Sequence, residues 1–279
     1  MNLVDLHIHS NNSDGSDTIE NLIFNIKKSG IKAFALTDHD TVAGCNEVIS
    51  KLPSDMKFIP SIELTCKEDF VKCHILGYNC DFRNKKLLDL IEKGKELRRI
   101  KLETRIKYLK DRWDIELTQE ERDWLYSRKS VVKTHIANIL VNRGLEKDNV
   151  SAMKKYLDGC KSGDTRFEGK EAIEAIKASG GIPVWAHPLG GEGEVHISKE
   201  EFLKRYHILK QIGIEGLECY YSRYNEEEIK FLVDFSNKND LLISAGSDYH
   251  GSNKDIPVGK LNVENNIVNP EKITILKYL

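Results

Sequence analysis

A chain of 279 residues with 42 Lys and Arg against 44 Asp and Glu carries a formal charge of −2, which argues against a general nucleic-acid coat while leaving room for a local basic patch. The length suits one large α/β domain or two smaller ones. No apolar run is long enough to cross a bilayer, and the N-terminus lacks the basic-then-hydrophobic pattern of a leader, so a soluble, cytoplasmic protein with no membrane partner and no obligate protein partner is expected.

The first element is "LVDLHIHS", residues 3–10. Strand alternation sends Asp5, His7 and His9 to one face and Val4, Leu6 and Ile8 to the other. Taken alone, such a segment reads as a strand with its polar side in solvent. Further strand candidates follow at "AFALTD" (33–38), "FIPSIEL" (58–64), "CHILGY" (73–78), "IPVWAH" (182–187), "IEGLECYY" (214–221) and "LLISAGSD" (241–248). Helical patterns lie between them. Asp17 with Glu20, Ser198 with Glu201 and Asn225 with Glu228 each fit an N-cap followed three residues later by a glutamate, Asp40 fits an acidic cap after the second strand, and Gly30 and Gly180-Gly181 mark helix ends. The alternation predicts parallel β-α units, nearly a full barrel. It fails across residues 84–165, which read as helices only, so the expected organisation is a barrel from residues 1–83 plus 166–279 and an inserted helical subdomain from 84–165. Within the insertion, Lys85 to Arg112 holds eleven Lys and Arg against five Asp and Glu. A solvated helix face accounts for such a run, and so does a positive lid over an anionic substrate.

The six cysteines, Cys45, Cys66, Cys73, Cys80, Cys160 and Cys219, include no C-x-x-C pair, so reduced thiols are expected. The even spacing of Cys66, Cys73 and Cys80 reads as buried small apolar groups rather than a metal site.

The ionisable residues fall at strand ends. His7 and His9 end the first strand, Asp38 and His39 the second, Glu63 the third, His187 the fifth, and Asp248 and His250 the seventh, while His74 sits inside the fourth. In a parallel barrel these ends share one rim, so residues remote in sequence converge. Six imidazoles and several carboxylates in one small volume would leave unpaired polar groups or bare charges unless cations are shared among them. Nitrogen and oxygen donors suit Mn, Fe or Zn, and the lack of thiolates argues against a closed structural zinc site. The donors exceed what one ion needs, which predicts two or three divalent ions with Glu63 as a bridge.

The segments "DLHIHS", "SDG", "LTDHD", "IEL", "HILGY", "AHP" and "GSDYHG" together resemble the motifs of the PHP (polymerase and histidinol phosphatase) family. "THIANILVNRG" and "GLECYYSRYNEEE" are similar to bacterial PHP phosphoesterases with a helical insertion, a group that includes phosphatases of 3′,5′-bisphosphate nucleotides. The resemblance implies a distorted (β/α)7, TIM-like barrel of the α/β class with an inserted all-helical subdomain. It implies that His7, His9, Glu63 and Asp248 hold one ion, that Glu63, His74 and His187 hold a second, and that Asp14, His39 and His250 hold a third, Asp14 standing where some members carry histidine. Asp5 and Asp38 are expected to orient imidazoles through their other ring nitrogen. "VVKTHIA" lies where family members carry Ser-Arg-Pro-His, so the resemblance implies that Lys133 stands in for the arginine, a point charge without its planar fork, that His135 matches the histidine, and that both contact substrate. Arg223, just past the sixth strand candidate, is expected to fork onto phosphate with Ser222 beside it, unless it pairs with Glu226 or Glu227. Tyr220, Tyr221 and Tyr224 read as packing before they read as base-stacking groups.

The implied activity is metal-dependent hydrolysis of a small metabolite's phosphomonoester by a metal-bridging hydroxide. The leading substrate is the 3′-phosphate of a 3′,5′-bisphosphate nucleotide, giving an AMP-like product and phosphate. A 5′-3′ exonuclease acting on short oligonucleotides and a histidinol phosphatase are the alternatives.

Overall fold

The computed structural model describes residues 3–191 and 194–279. Seven strands form one ring in the order β1 (Val4–Ile8), β2 (Ala33–Leu36), β3 (Lys57–Glu68), β4 (Val71–Tyr78), β6 (Ile182–Trp185), β7 (Gly216–Tyr221) and β8 (Leu242–Gly246). The segment after β8 meets the end of β1, where the Asp248 N–H donates to the His7 carbonyl at 2.8 Å and the His9 N–H to that of Tyr249 at 2.9 Å. The ring is thereby nearly closed, a seven-strand barrel of the expected class. An eighth strand, β5 (Phe167–Glu168), pairs with β3 off the ring.

One strand departs from the parallel pattern. β4 runs antiparallel to both β3 and β6, because only two residues, Asp69 and Phe70, separate β3 from β4, and so short a link makes a hairpin rather than a crossover. His74 therefore reaches the rim from mid-strand instead of from a strand end.

Between the strands, α1 (Ile19–Lys28), α2 (Cys45–Lys51), α7 (Gly169–Ala178), α8 (Lys199–Gln211) and α9 (Glu226–Lys238) cover the outside. The Asn225–Glu228 capping box forms at α9, and Ser198 caps α8 through the Glu201 N–H. The cap of α1 is Thr18 rather than Asp17, which instead accepts from Asn25 and from the Tyr249 hydroxyl at 2.7 Å. Asp40 caps nothing. It sits at φ 52°, accepts the Thr65 N–H at 2.8 Å and pairs with Arg98, and α2 starts later, after Gly44. The core lies between ring and helices, with Trp185 stacked on Phe202 at 5.3 Å.

Helices occupy most of residues 85–157, as α3 (Lys85–Trp113), α4 (Gln119–Ser127), α5 (Lys133–Asn142), α6 (Asn149–Ala152) and a π turn over Met153–Leu157, whereas 158–165, also expected to be helical, is irregular. Leu102, Ile106 and Leu109 on α3 bury against Leu125, Ile136 and Leu140, an apolar cluster separate from that of the ring. Arg98 reaching Asp40, and Arg128 reaching the Asn11 carbonyl, tie these helices to the rim. Among the described residues no helix is long and apolar enough to cross a membrane.

Candidate metal centre

The polar face of β1 turns into the ring, not to solvent: Asp5, His7 and His9 are wholly buried. Room for His7 comes from β8, where a β-carbon on Gly246 would lie 2.1 Å from that of His7. The loop after β1 brings in Asp14, the segment after β2 supplies His39, and β3 and β4 present Glu63 and His74. His187, Asp248 and His250 follow the ends of β6 and β8. His187 (φ 30°) and Asp248 (φ 59°) occupy the left-handed region without being glycine, a strained backbone held where the side chains must point inward.

Glu63 stands at the centre. Its Oε1 lies 3.0 Å from His74 Nδ1 and 3.3 Å from His187 Nε2, while Oε2 lies 3.3 Å from His7 Nε2, 3.2 Å from His9 Nε2 and 3.1 Å from His39 Nδ1. Asp248 Oδ1 approaches His7 and His9 at 3.5 and 3.3 Å. On the other side of His9, Asp14 lies 3.1 Å from His250 Nε2 and 3.7 Å from His39 Nε2. Three overlapping groups have donor atoms close enough to share an ion: His7, His9 and Glu63; His39, Glu63 and His74; and His9, Asp14, His39 and His250.

The donor atoms fit that use. His7 Nε2, both nitrogens of His9, His39 Nδ1, His250 Nε2 and Glu63 Oε2 are buried without a hydrogen bond. Orphaned lone pairs at that density would cost several kcal/mol unless a cation satisfies them. Two rings are also set in the right tautomer. His7 donates from Nδ1 to Glu218 at 2.9 Å and His250 from Nδ1 to the Asp248 carbonyl at 2.9 Å, leaving each Nε2 with a lone pair that could bind an ion.

Glu218 is the residue that sequence reasoning missed. Besides holding the His7 ring, its Oε2 accepts the His187 N–H at 2.8 Å; the available signal was the one carboxylate within the strand proper, "GLECYY", Glu215 lying just before it. Asp5 and Asp38 do not orient imidazole rings. Asp5 accepts from the Ser247 N–H and hydroxyl, the Gly259 N–H and the His7 backbone N–H, and Asp38 accepts from Ser10 and from Ser13 at 2.7 Å. Both anchor backbone around the site. Asp248 Oδ2 is fixed by the Tyr221 hydroxyl at 3.0 Å and by Lys254 at 2.8 Å.

Burial would favour the neutral form of every group here, and it is overcome wherever opposite charges crowd in. Burial opposes ionisation of Asp14, Glu63 and Asp248, yet the surrounding imidazoles, and Lys254 at Asp248, hold all three well below the usual carboxylate range. His9 is likewise raised to about 9 by Asp248 and Glu63 against the effect of burial. At His39 burial wins, and its pKa falls to about 3. Ionised carboxylates beside imidazoles are the donor set that a divalent ion requires.

A cavity of about 220 Å³ adjoins this centre, walled by Asp14, His39 and His74 on one side and by Arg98, Lys101 and Arg105 of α3 on the other. Lys133 and Arg166 complete its basic lining. Arg98, Lys101 and Arg105 are spaced three and four apart, one helical face, and that face meets the cavity rather than bulk solvent. Lys133 pairs with Asp158. His135 is buried against Trp124 with its Nδ1 accepting the Val132 N–H at 3.1 Å, and does not line this cavity. Arg223 is half-buried in the turn after β7, and Ser222 beside it has a buried, unpartnered Oγ. The tyrosines pack: Tyr221 and Tyr224 are fully buried, and Tyr220 faces away on the outer side of the ring.

A nearly closed ring with imidazoles and carboxylates converging at one rim defines a metal-dependent hydrolase. The chain belongs to the PHP domain family, whose model matches residues 5–170, and it is a metal-dependent phosphoesterase. It is 29% identical over 262 residues to the 5′-3′ exoribonuclease of Haemophilus influenzae, covering 92% of this chain and 93% of that one. It is 24% identical over 251 residues to the 3′,5′-nucleoside bisphosphate phosphatase of Chromobacterium violaceum, covering 88% and 87%. A solved structure from Bifidobacterium adolescentis shares the fold with a TM-score of 0.79 at 24% identity, covering 97% of this chain and 94% of that one.

Proposed function

We propose that the chain hydrolyses the phosphoester on the 3′ oxygen of a nucleotide whose 5′ phosphate rests in the basic cavity. The leading substrate is a 3′,5′-bisphosphate nucleotide, giving a nucleoside 5′-monophosphate and phosphate. The observation that carries this reading is the pairing of one donor-rich face with one cationic face across a single cavity. Lys101 and Arg105 have no carboxylate within ion-pair distance among the described residues, and the repulsion they share with Arg98 and Arg166 adds to burial in lowering Lys101 to about 8. Such a cluster calls for an anion beyond the one at the metal centre. Histidinol phosphate, a monophosphate that itself carries cationic groups, has no use for this wall.

In this account His7, His9, Glu63 and Asp248 would hold one ion, Glu63, His74 and His187 a second, and Asp14, His39 and His250 a third, giving two or three Mn, Fe or Zn ions. When bound, such ions lower the pKa of water into the physiological range and neutralise charge on a phosphoryl group. The helices of residues 84–165 act as a lid whose Arg98, Lys101, Arg105 and Lys133 fix the remote phosphate and so orient the scissile one. Arg223 meets the scissile phosphoryl through its two-pronged fork, with the Ser222 hydroxyl beside it.

A second reading, removal of 5′-terminal nucleotides from RNA, uses the same site with a diester in place of the monoester. It is supported by the name and coverage of the Haemophilus relative. The experiment is phosphate release from adenosine 3′,5′-bisphosphate and from adenosine 3′-monophosphate by the metal-loaded protein. The bisphosphate should be favoured at least about tenfold in kcat/KM, and a Lys101→Ala/Arg105→Ala variant should level the two. Equal turnover of both by the unaltered protein contradicts the assignment.

A further inference from the structure

The β3–β4 hairpin does not stop at the metal centre. Residues directly opposed across an antiparallel pair share a face, and the pairs Glu63 with Leu76, Thr65 with His74, and Lys67 with Lys72 follow one another outward. Two lysines thus face each other across the ladder, an arrangement that costs stability in a bare hairpin. Glu168 pairs with Lys67 at 3.2 Å, whereas Lys72 is exposed and has no carboxylate partner among the described residues. Beyond His74 and His187 a cavity of about 190 Å³ opens, bounded by Lys72, Arg166 and Arg205. Thr65, His74 and Arg166 line both this cavity and the one under α3. Arg166 and Arg205 each pair through one edge of the guanidinium, with Asp164 and Glu201, and Glu194 accepts the Gly191 N–H at 3.0 Å, so Lys72 is the cation of this cavity without a carboxylate among the described residues. At the hairpin tip Phe70 is 61% exposed.

We infer that this face, from His74 out through Lys72, Arg166 and Arg205, is a track for the phosphodiester backbone of a single-stranded RNA entering from downstream of the scissile bond. The inference rests on the function proposed above and extends its substrate from one nucleotide to a chain. The cavity under α3 takes the terminal 5′ phosphate, the metal centre the first internucleotide phosphate, and the track the next ones. Cations around one cavity, with an exposed aromatic ring two residues from Lys72, offer what a single strand needs, charge for its backbone and a surface for a base. Lys72 and Arg205 line only the second cavity and not the one under α3, which separates the track from the groups shared by both substrates.

The test compares the unaltered, metal-loaded protein with a Lys72→Ala/Arg205→Ala variant on a 5′-phosphorylated pentaribonucleotide and on adenosine 3′,5′-bisphosphate. The expected result is a rise of about tenfold in KM for the oligonucleotide with kcat held, and no change for the bisphosphate. The salt dependence of oligonucleotide capture should also flatten by about 0.7 in log–log slope for each cation removed from the track. A Lys72→Arg/Arg205→Lys variant keeps the charges and should restore the oligonucleotide KM, which distinguishes the removal of charge from damaged folding. The track is overturned if both substrates suffer equally, if neither does, or if the unaltered protein turns over the bisphosphate and leaves the oligonucleotide intact. Failure of the unaltered protein on both substrates would instead overturn the proposed function beneath it.

Discussion

Glu218→Gln is the most informative single change, because it keeps shape and alters only the charge and hydrogen-bond polarity of one buried group. Glu218 accepts at both oxygens, from His7 Nδ1 at 2.9 Å and from the His187 N–H at 2.8 Å. Glutamine has one accepting oxygen and one donating nitrogen. If its oxygen stays with the His187 N–H, its NH2 faces His7 Nδ1, and the ring must take the other tautomer. The proton then sits on Nε2, which points at Glu63 and Asp248 and is the atom needed as a ligand. Loss of such an outer partner lowers metal affinity by about 10- to 100-fold, or roughly 1.4–2.7 kcal/mol. Titration calorimetry with Mn2+ should show that loss, and phosphatase activity at limiting metal should fall and recover with excess metal. Unchanged affinity in a folded Glu218→Gln protein would refute the role given to Glu218.

Three further outcomes follow from the same geometry. Gly246→Ala forces its new methyl onto His7 and to 2.8 Å from Glu218 Oε1, so calorimetric unfolding should show a loss of about 3 kcal/mol, roughly 6 °C in Tm, together with lost metal binding; a wild-type melt would show that β1 and β8 are less closely apposed. His135 is 5% exposed and burial lowers its pKa to about 4. With an unfolded value near 6.5, its neutral form contributes stability that is complete above pH 6.5 and lost as pH falls toward 4. The loss is about 3 kcal/mol, so denaturant unfolding at pH 7 and pH 4.5 should differ less for His135→Gln than for the unaltered protein, and an identical difference would contradict this. Arg223→Ala should lower kcat/KM for phosphate release by about 100-fold, and unaltered kinetics would remove Arg223 from the chemistry.

The gathering of these side chains was legible in the sequence because barrel topology turns strand ends into neighbours: His7, His9, His39, Glu63, His187, Asp248 and His250 needed only the strand pattern to be placed at one rim, whereas Asp14 came from the family resemblance. The antiparallel run of β4 escaped, since a two-residue hairpin and a short crossover look alike in a string of β-branched residues, yet His74 still arrives because its strand passes the rim. Carboxylates were harder to assign than imidazoles. Asp5 and Asp38 occupy the positions expected of ring-orienting groups, but two residues with free oxygens on a rim find backbone N–H groups and serine hydroxyls first. Glu218 does the orienting from β7, and no spacing rule singles out one glutamate pointing inward. The basic face of α3 was visible as a charge run, while its direction was not, because helical periodicity fixes which residues share a face and tertiary packing fixes what that face meets.

In the proposed centre, six imidazoles from five separate segments share divalent ions, with Glu63 as the bridge. Elemental analysis of protein reconstituted with Mn2+ and dialysed free of excess metal tests it most directly, alongside a Glu63→Ala variant whose helical content is checked by circular dichroism. Two or three ions per chain are expected in the unaltered protein, and no more than one, with no phosphate release, in the folded variant. A folded, unaltered protein that retains no ion after reconstitution, or a Glu63→Ala protein that retains the full complement, would contradict this sharing.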